Sequence, residues 1–232
     1  MSTPIWKNDD ELIALAKKEL FTALVGDSLD KINLRHQFLP AQVKPLSPEM
    51  VVLGRAMPVV EADVYDEIVE NTKNELMSKP FGLMFEALDS LQKNEVYICT
   101  GGSHNYAMWG GLMSTRAIKC GAAGAVVDGY SRDTNEILRL NFPTCSIGTY
   151  AQDQGPRGKV IDYGVPIIWN GIKINPGDWV YGDRDGVVII PKEVEEQVFT
   201  LAFEKARGEK SVLKALEGGM TTVEAFEKFG IM

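Results

Sequence analysis

The chain has few of the residues on which several common kinds of site depend. Among its 232 residues there are only three cysteines and two histidines. Cys99, Cys120 and Cys145 are an odd number at wide spacing, which gives neither a disulfide framework nor a CxxC zinc pattern. A nucleophilic cysteine would also need a nearby base, and only His36 and His104 could supply an imidazole. We therefore expect buried free thiols and a reducing, cytoplasmic setting.

Long apolar runs are also missing. No stretch approaches the roughly 20 apolar residues that cross a bilayer, and the first 18 residues contain no continuous apolar segment, so we expect neither a membrane span nor a signal peptide. A net charge of -8 argues against binding to nucleic acid or to anionic membranes. The motifs GxGxxG, GxxxxGKS/T, HExxH and GxSxG are absent, which argues against the usual nucleotide-binding, zinc-protease and serine-hydrolase classes.

What remains is the composition of an ordinary folded protein, with 45% apolar and 24% charged residues. Apolar strand-like segments alternate with helix-like segments up to about residue 140, which is typical of parallel βαβ units. After that point, Asn170–Gly171 and Asp185–Gly186 between apolar runs predict antiparallel hairpins. The pattern therefore predicts a mixed α/β fold, in which we treat residues 1–232 as one domain.

Helical patterns extend this domain at both ends. The N-terminal arm, at about residues 9–32, begins at Asn8 with acidic residues in its first turn, and Gly26–Asp27–Ser28 predicts a break into two helices. A further helical stretch is predicted over residues 66–90, which Lys79–Pro80 could interrupt. The C-terminal helices are predicted at about 192–228, with Thr221–x–x–Glu224 as a capping box before the last one.

The segment from Gly101 to Glu136 carries the clearest chemical signal. Its last part places Arg132, Asp133 and Glu136 just after an apolar strand, where open α/β sheets bind ligands. An arginine held in place can bind a carboxylate or phosphate. Two carboxylates three residues apart share one helix face and could hold Mg²⁺ or Mn²⁺ with retained waters. The alternative is a surface turn in which Asp133 caps a helix beginning at Thr134.

Two glycine-rich turns precede this cluster. Glycines in Gly101–Asn105 and Trp109–Leu112 would let backbone N–H groups converge on an anion at a helix start, although tight turns also use glycine in this way. His104 lies in the first turn and is the only imidazole placed to act as a general acid or base near Asp133. The alternative for His104 is an ordinary polar loop residue.

These motifs together resemble the RraA-like family. The resemblance rests on Gly111, Arg132–Asp133–x–x–Glu136, Val127–Asp128–Gly129 and the turns within 176–187, and it covers about residues 20–230. The family contains class II 4-hydroxy-4-methyl-2-oxoglutarate (HMG) and 4-carboxy-4-hydroxy-2-oxoadipate aldolases, and also non-catalytic RNase E regulators. The resemblance implies a swivelling β/β/α domain with mixed sheets that assembles as a homotrimer or homohexamer, with sites at the subunit interfaces.

The resemblance also implies roles for individual residues. Asp133 would hold Mg²⁺ or Mn²⁺, with Glu136 assisting through water. Arg132 would bind the oxygens of the pyruvate part of a small anionic substrate, and the backbone of the turn Gly111–Leu112–Met113 would bind its carboxylate. The implied activity is that of a metal-dependent carbon–carbon lyase, similar to an HMG aldolase or an oxaloacetate decarboxylase. It would act on a 2-oxo acid or a related sugar acid through an enolate whose charge the metal and the arginine stabilise.

One position departs from the aldolase pattern. The aldolases commonly carry an acidic residue where this chain has Gly111, and a second acid from the late helix corresponds loosely to Glu209. We therefore take His104 as the candidate for proton transfer. Asp133 favours the catalytic branch, because the regulators lack it. The alternatives are a non-catalytic oligomeric binding protein, or a metal-dependent enzyme that acts on another carbohydrate acid.

Overall fold

The structure is a computed structural model that describes residues 5–231. The chain forms two compact units: a central unit of residues 36–192, and a terminal unit in which residues 5–35 pack with residues 193–231. No helix within the described part of the chain is long and apolar enough to cross a membrane.

Seven α-helices and thirteen strands are present in residues 5–231. The helices are Asp9–Glu19 (α1), Thr22–Lys31 (α2), Met84–Ser90 (α3), Gly111–Cys120 (α4), Thr134–Leu140 (α5), Glu195–Glu217 (α6) and Thr222–Phe229 (α7), and short 3-10 helices lie at Glu75–Ser78 and Lys192–Val194. The strands are Lys44–Pro45 (β1), Val52–Asp63 (β2), Glu95–Thr100 (β3), Ala107–Trp109 (β4), Gly124–Val127 (β5), Tyr130–Ser131 (β6), Thr144–Ser146 (β7), Gly148–Thr149 (β8), Gly158–Tyr163 (β9), Ile167–Trp169 (β10), Ile172–Ile174 (β11), Trp179–Asp183 (β12) and Gly186–Ile190 (β13).

The main sheet of the central unit is mixed, with the order β1-β7-β5-β3-β2-β12-β13 and with β9 also paired to β2. Neighbours in the run β2-β3-β5-β7 are parallel, which confirms the predicted βαβ units. The hairpin β12–β13 and the strand β9 add the antiparallel part. The Nζ atom of Lys44 in β1 donates to the carbonyl of Asp185 beside β13, so the two edges approach one another and the sheet is nearly closed.

Both faces of this sheet are covered by apolar side chains. In β3, Tyr97 and Cys99 belong to one buried cluster, whereas Val96 and Ile98 belong to the other. Alternate residues of a strand point to opposite faces. Because both faces of β3 are buried, its sequence is a continuous apolar run. The expectation of buried free thiols is confirmed for Cys99 and Cys145, while Cys120 is half-buried and also free.

The helix predicted over residues 66–90 is wrong in its first two thirds. Residues 64–74 have no regular structure, and only Glu75–Ser78 forms a 3-10 turn before α3 begins at Met84. Asn71, Phe81 and Gly82 have left-handed backbone angles, with φ of 57°, 58° and 63°. A right-handed helix cannot continue through such residues.

Both predicted hairpins are present. Strands β10 and β11 pair around Asn170–Gly171, which confirms that hairpin. The β12–β13 hairpin is confirmed as well, and there Asp183 accepts a hydrogen bond of 2.9 Å from the backbone of Asp185. Strands β4, β6 and β8 form a separate three-stranded parallel sheet, which holds the segments around Trp109 and Arg132 side by side.

In the terminal unit, Asn8 caps α1 by accepting a hydrogen bond from the backbone of Glu11, as predicted. The predicted break at Gly26–Asp27–Ser28 is wrong, because α2 runs through it and the chain bends at residues 20–21 instead. Within α2, the Ser28 hydroxyl donates to the carbonyl of Leu24, so its polar group is satisfied inside the helix. The helix α6 and the capping box at α7 occur as predicted.

Candidate functional site

The two turns that the sequence singles out lie beside each other in the central unit. Parallel pairing matches Trp109 of β4 with Ser131 of β6, and the backbone N–H of Arg132 donates to the carbonyl of Trp109 at 2.9 Å. The chain then enters α4 at Gly111 and α5 at Thr134. The small sheet therefore brings the first turn of α4 next to the residues that open α5.

Asp133 does not cap α5 with its side chain, which was the alternative to a metal-binding role. It occupies the position before α5, but its side chain makes no capping hydrogen bond there. Its Oδ2 instead accepts a hydrogen bond of 3.1 Å from the backbone N–H of Gly111. The backbone of Asp133 is left-handed, with φ of 55° and ψ of 36°, a conformation that is uncommon outside glycine and that aspartate tolerates. This backbone conformation places the carboxylate beside α4, where 48% of the side chain stays exposed.

Two glycines allow this close approach. A Cβ atom at Gly110 would lie 3.0 Å from Oδ2 of Asp133 and 3.5 Å from Cγ of Arg132. A Cβ atom at Gly111 would lie 3.0 Å from Cγ of Glu136. An acidic side chain at position 111 would therefore contact the residues of α5. The close packing here suits the glycine that this chain has where the aldolases commonly carry an acid.

Arg132 is positioned by two carboxylates. Its Nη1 atom lies 2.9 Å from Oδ1 of Asp153, and its Nε atom lies 4.0 Å from Oδ2 of Asp133. Among the residues that the structure describes, no protein group bonds its Nη2 atom. The guanidinium is thus held in a defined position and keeps donors for a bound anion.

Asp153 also lies at the site, although the sequence does not predict it. It lies in the loop after β8, in the same stretch as Gln154 and Arg157, and Arg157 donates to its backbone carbonyl at 3.0 Å. The loop has no motif that marks it as part of a site. Its Gly and Pro residues indicate only that the chain turns here.

Leu112 and Met113 stand in the first turn of α4. Their backbone N–H groups have no acceptor within the helix, as at any helix start, and they are the donors expected to bind a carboxylate. The third expected donor, the N–H of Gly111, is engaged by Asp133. The side chain of Leu112 is 87% exposed although it is apolar.

Glu136 lies one helical turn beyond Asp133 and is engaged elsewhere. Both of its carboxylate oxygens accept hydrogen bonds from Arg139, at 2.9 and 2.5 Å. These bonds lower the pKa of the Glu136 carboxyl. Glu136 is partly exposed and does not line the cavity beside Arg132, so it would reach a metal there only through water.

His104 lies in a different group of side chains. Its Nε2 atom is 3.3 Å from Oδ1 of Asp128, and the hydroxyl of Thr100 donates to the other oxygen of Asp128 at 2.6 Å. Its ring also stands edge-on to Tyr130. His104 is not among the residues that line the cavity at Arg132 and Asp133. Its assignment to proton transfer therefore stays a prediction. Glu209, the loose counterpart of a second acid, lies on α6 of the terminal unit, 3.6 Å from Lys205.

A cavity of about 550 Å³ opens beside Arg132 and Asp133 within the central unit. Its charged lining residues are Asp89, Arg116, Arg132, Asp133 and Asp153. Most of the others are apolar and come from α3, from the turn before α3 and from the start of α4. A concave apolar site with a few converging polar groups is the usual form of a small-molecule site.

The residues at the cavity fit a metal that keeps most of its water. Within residues 5–231, no group of three or more His, Cys, Asp or Glu side chains is placed to hold an ion. A closed all-protein site is therefore not available in that part of the chain. Mg²⁺ commonly binds through one or two carboxylates and keeps several waters, and the half-exposed Asp133 offers such an open position.

Comparison with known proteins identifies the family. The RraA-like family model, described as Aldolase/RraA, matches residues 22–189. Over 205 residues the chain is 30% identical to a Halalkalibacterium halodurans protein whose name proposes an HMG aldolase, and the match covers 88% of this chain and 89% of that one. Over 209 residues it is 26% identical to DlpA of Legionella pneumophila, covering 90% of this chain but only 32% of DlpA, so it spans about a third of that relative.

A solved structure shows the same fold. The crystal structure of RraAS2 from Streptomyces coelicolor, titled an unusual member of the RNase ES inhibitor RraA protein family, superposes with a TM-score of 0.72 at 24% identity. The superposition covers 89% of this chain and 98% of that chain. The predicted swivelling β/β/α fold with mixed sheets is thereby confirmed. On the family match over most of its length, the chain belongs to the RraA-like family.

Proposed function

We propose that the protein is a divalent-metal-dependent carbon–carbon lyase that acts on a 2-oxo acid. The observation that carries the proposal is the arrangement of Arg132 and Asp133, which line one cavity together with the first turn of α4. Relatives whose names propose HMG aldolase activity support the reaction class.

Arg132 and the first turn of α4 bind the substrate in this proposal. The free Nη2 donor of Arg132 would hold the keto oxygen and carboxylate, while the backbone N–H groups of Leu112 and Met113 would bind the remaining carboxylate oxygen. These donors belong to a helix and to an arginine held by Asp153, so they are oriented before the substrate arrives. The cost of ordering the site is thereby reduced.

Asp133 would hold the metal, Mg²⁺ or Mn²⁺, with Glu136 assisting through water. When bound, the metal supplies positive charge that stabilises the enolate formed as the carbon–carbon bond breaks. The hydrogen bond from the backbone of Gly111 keeps Oδ2 of Asp133 in place and leaves its other oxygen for the metal. The pair Glu136–Arg139 restricts the movement of Glu136 at the same end of α5.

Proton transfer requires a group that can reach the reacting atoms. Asp153 lines the cavity, whereas His104 is bonded to Asp128 and does not line it. We therefore propose that Asp153 moves the proton, with His104 as the alternative that the sequence indicated. Asp153 contacts Nη1 of Arg132 at 2.9 Å, so it lies beside the substrate groups that Nη2 would bind.

The decisive test replaces the metal-binding carboxylate. Asp133→Asn should lower metal-dependent pyruvate release by about 100-fold or more, because the enolate charge is no longer stabilised. Asp185→Asn, in the β12–β13 turn, is the matched control and should behave as the parent does. Pyruvate is measured by coupled reduction, with HMG and oxaloacetate as substrates, and circular dichroism checks the fold. Unchanged activity in Asp133→Asn contradicts the assignment.

A non-catalytic binding protein is the second candidate. One observation favours it: both carboxylate oxygens of Glu136 are engaged by Arg139. This candidate predicts no affinity for Mg²⁺ or Mn²⁺ and tolerance of Arg132→Gln in partner binding. Calorimetric titration with Mn²⁺ separates the two. A screen of 2-oxo acids and carbohydrate acids, read by mass spectrometry, tests the further alternative of a metal enzyme that acts on sugar acids.

We also propose that the protein assembles as a homotrimer or homohexamer with sites at the interfaces, in a cytoplasmic setting. The family resemblance supports the assembly, and the free thiols suit a reducing compartment. Light scattering after size-exclusion chromatography gives the molecular mass. A monomer at micromolar concentration contradicts the assembly.

A further inference from the structure

The cavity at Arg132 has one wall whose side chains take no part in the proposed reaction. This apolar wall consists of Phe81, Met84, Phe85, Leu88, Leu112 and Met113. Phe85 is 54% exposed and Leu112 is 87% exposed. Large apolar side chains that face a cavity, rather than being scattered singly on the surface, indicate a binding surface.

The charged groups are separated into two places along the cavity lining. Arg132, Asp133 and Asp153 form one group, at which the reacting end of the substrate would bind. The other group is the pair Arg116–Asp89, in which Nε of Arg116 lies 2.6 Å from Oδ1 of Asp89. Arg116 pairs with a carboxylate as Arg132 does, but no metal lies beside it in this proposal, so a second anionic group of a ligand would meet no net positive charge there.

The net charge of the lining residues of this chain also favours a ligand with a single carboxylate. The lining has two arginines and three aspartates, for a net charge of -1. A bound divalent cation would bring the cavity to +1, which one carboxylate neutralises. A substrate with two carboxylates would leave an excess negative charge beside an apolar surface, and such a charge is costly to desolvate.

Gln154 adds a polar group at the reacting end. It lines the cavity, only 4% of the residue is exposed, and its Nε2 atom has no hydrogen-bond partner among the described residues. An unpaired buried amide is unfavourable. Rotation of the carboxamide would present its N–H groups to the cavity, where an oxygen atom of a ligand could accept them.

We propose, on the basis of the lyase function above, that the natural substrate is a monocarboxylic 4-hydroxy-2-oxo acid whose C4 substituent is apolar, either aromatic or branched aliphatic. The carboxylate and keto group bind at Arg132, and the substituent packs against Phe81, Phe85 and Leu88. Cleavage breaks the C3–C4 bond. The C4 hydroxyl loses its proton and becomes the carbonyl of an apolar aldehyde or ketone, while the electron pair passes to C3, which takes up a proton to give pyruvate.

Binding of non-cleavable 2-oxo acids tests this substrate class separately from turnover. With Mn²⁺ present, calorimetry should show that phenylpyruvate and 4-methyl-2-oxopentanoate bind about tenfold or more tightly than pyruvate, because their substituents bury apolar surface. Their binding should also have a more negative heat-capacity change. The dicarboxylate 2-oxoglutarate should bind no more tightly than pyruvate.

The variant Phe85→Gln tests the wall itself. Phe85 is half-exposed, so its replacement should leave the fold intact. It should remove the tenfold advantage of phenylpyruvate while leaving the affinity for pyruvate unchanged. The control is Ile168→Gln on β10, where an equally apolar side chain is 71% exposed and does not line the cavity. That variant should keep the parent's preference.

A turnover experiment completes the test. The kcat/KM for 4-hydroxy-4-phenyl-2-oxobutanoate, followed as pyruvate and benzaldehyde, should exceed that for HMG by about tenfold. Binding of pyruvate without any preference for apolar substituents overturns the substrate class and leaves the lyase proposal standing. Failure to bind pyruvate at all overturns the lyase proposal. If Phe85→Gln changes the molecular mass in solution but not ligand affinity, the wall is a protein contact and the inference is wrong.

Discussion

Asp133 and Glu61 are both acidic residues near strand ends of the central unit, and their surroundings are opposite. The Asp133 side chain is 48% exposed, lies beside Arg132 and accepts one backbone hydrogen bond. Glu61, near the end of β2, is 2% exposed. Its Oε1 atom has no hydrogen-bond partner in the described part of the chain, and its Oε2 atom accepts a weak bond of 3.7 Å from the thiol of Cys99.

The difference appears in the protonation of Glu61. Burial raises the pKa of the Glu61 carboxyl to about 8, and the nearby Tyr106 hydroxyl and Cys99 thiol offset only part of that effect. Glu61 is therefore mostly neutral at pH 7. A neutral, enclosed carboxyl cannot hold a cation, whereas the exposed carboxylate of Asp133 can. The difference in exposure between Asp133 and Glu61 therefore decides which of the two carboxyl groups could bind a metal ion.

Replacing a glycine beside Glu61 or beside Asp133 should show the largest difference between the two regions, in stability and in activity. A Cβ atom at Gly158 would lie 2.2 Å from the Tyr106 hydroxyl and 2.5 Å from Oε1 of Glu61. Gly158→Ala should therefore destabilise the fold by about 3 kcal/mol through overpacking. Gly110→Ala, with a contact of 3.0 Å to Asp133, should change stability by less than about 1 kcal/mol but lower activity about tenfold, because the carboxylate must shift.

Thermal unfolding and pyruvate release measure these two effects. The comparison fails if Gly110→Ala is as destabilising as Gly158→Ala, or if it leaves activity unchanged. Gly164→Ala offers a control for the mutation itself, since a Cβ atom at that position would meet no atom within 4 Å. Its left-handed φ of 67° should still cost some stability.

Replacing Asp153 and His104 should show which of the two residues transfers the proton. Asp153→Asn should lower kcat by about 100-fold, because proton transfer by a positioned group contributes on that order. His104→Asn should lower kcat by less than about threefold, because His104 bonds Asp128 outside the cavity. The pH dependence of kcat should change only in the Asp153 variant. A larger loss in His104→Asn would return proton transfer to the histidine that the sequence indicated.

The pH dependence of stability should show the raised pKa of Glu61 directly. Because the pKa of Glu61 is raised in the folded protein, folding favours the protonated form, and stability should fall as pH rises from about 4.5 to about 8. The slope due to Glu61 should be on the order of 1 kcal/mol per pH unit within that window and should vanish above it. Glu61→Gln should remove this slope. Urea unfolding at pH 5, 7 and 9 measures it, and an unchanged slope in the variant contradicts the assignment.

Much of the fold could be predicted because its signals are local. The parallel βαβ units, the Asn170–Gly171 hairpin and the capping box at Thr221 follow from periodicity and turn chemistry within a few residues. The errors arose where packing overrides a local preference. Gly26 stays inside α2 because that helix is buried, and residues 66–74 lack a helix although their composition allows one.

The candidate site was predicted in part for the same reason. Arg132 and Asp133 adjoin each other in sequence and follow a strand, so a short pattern reveals them. Asp153 comes twenty residues later, from a loop without any motif, and only the fold places it 2.9 Å from Arg132. Phe81 and Phe85 belong to none of the sequence motifs, yet they line the cavity.

The sequence alone indicated the family, the parallel βαβ pattern and the pair Arg132–Asp133, because each is carried by short motifs or local periodicity. The tertiary structure decided which carboxylates can act. It left Asp133 open to solvent through the close approach of Gly110, and it buried Glu61 among Cys99 and Tyr106. It also placed the apolar wall opposite Arg132. These properties depend on burial and on contacts between distant residues, which the sequence does not display.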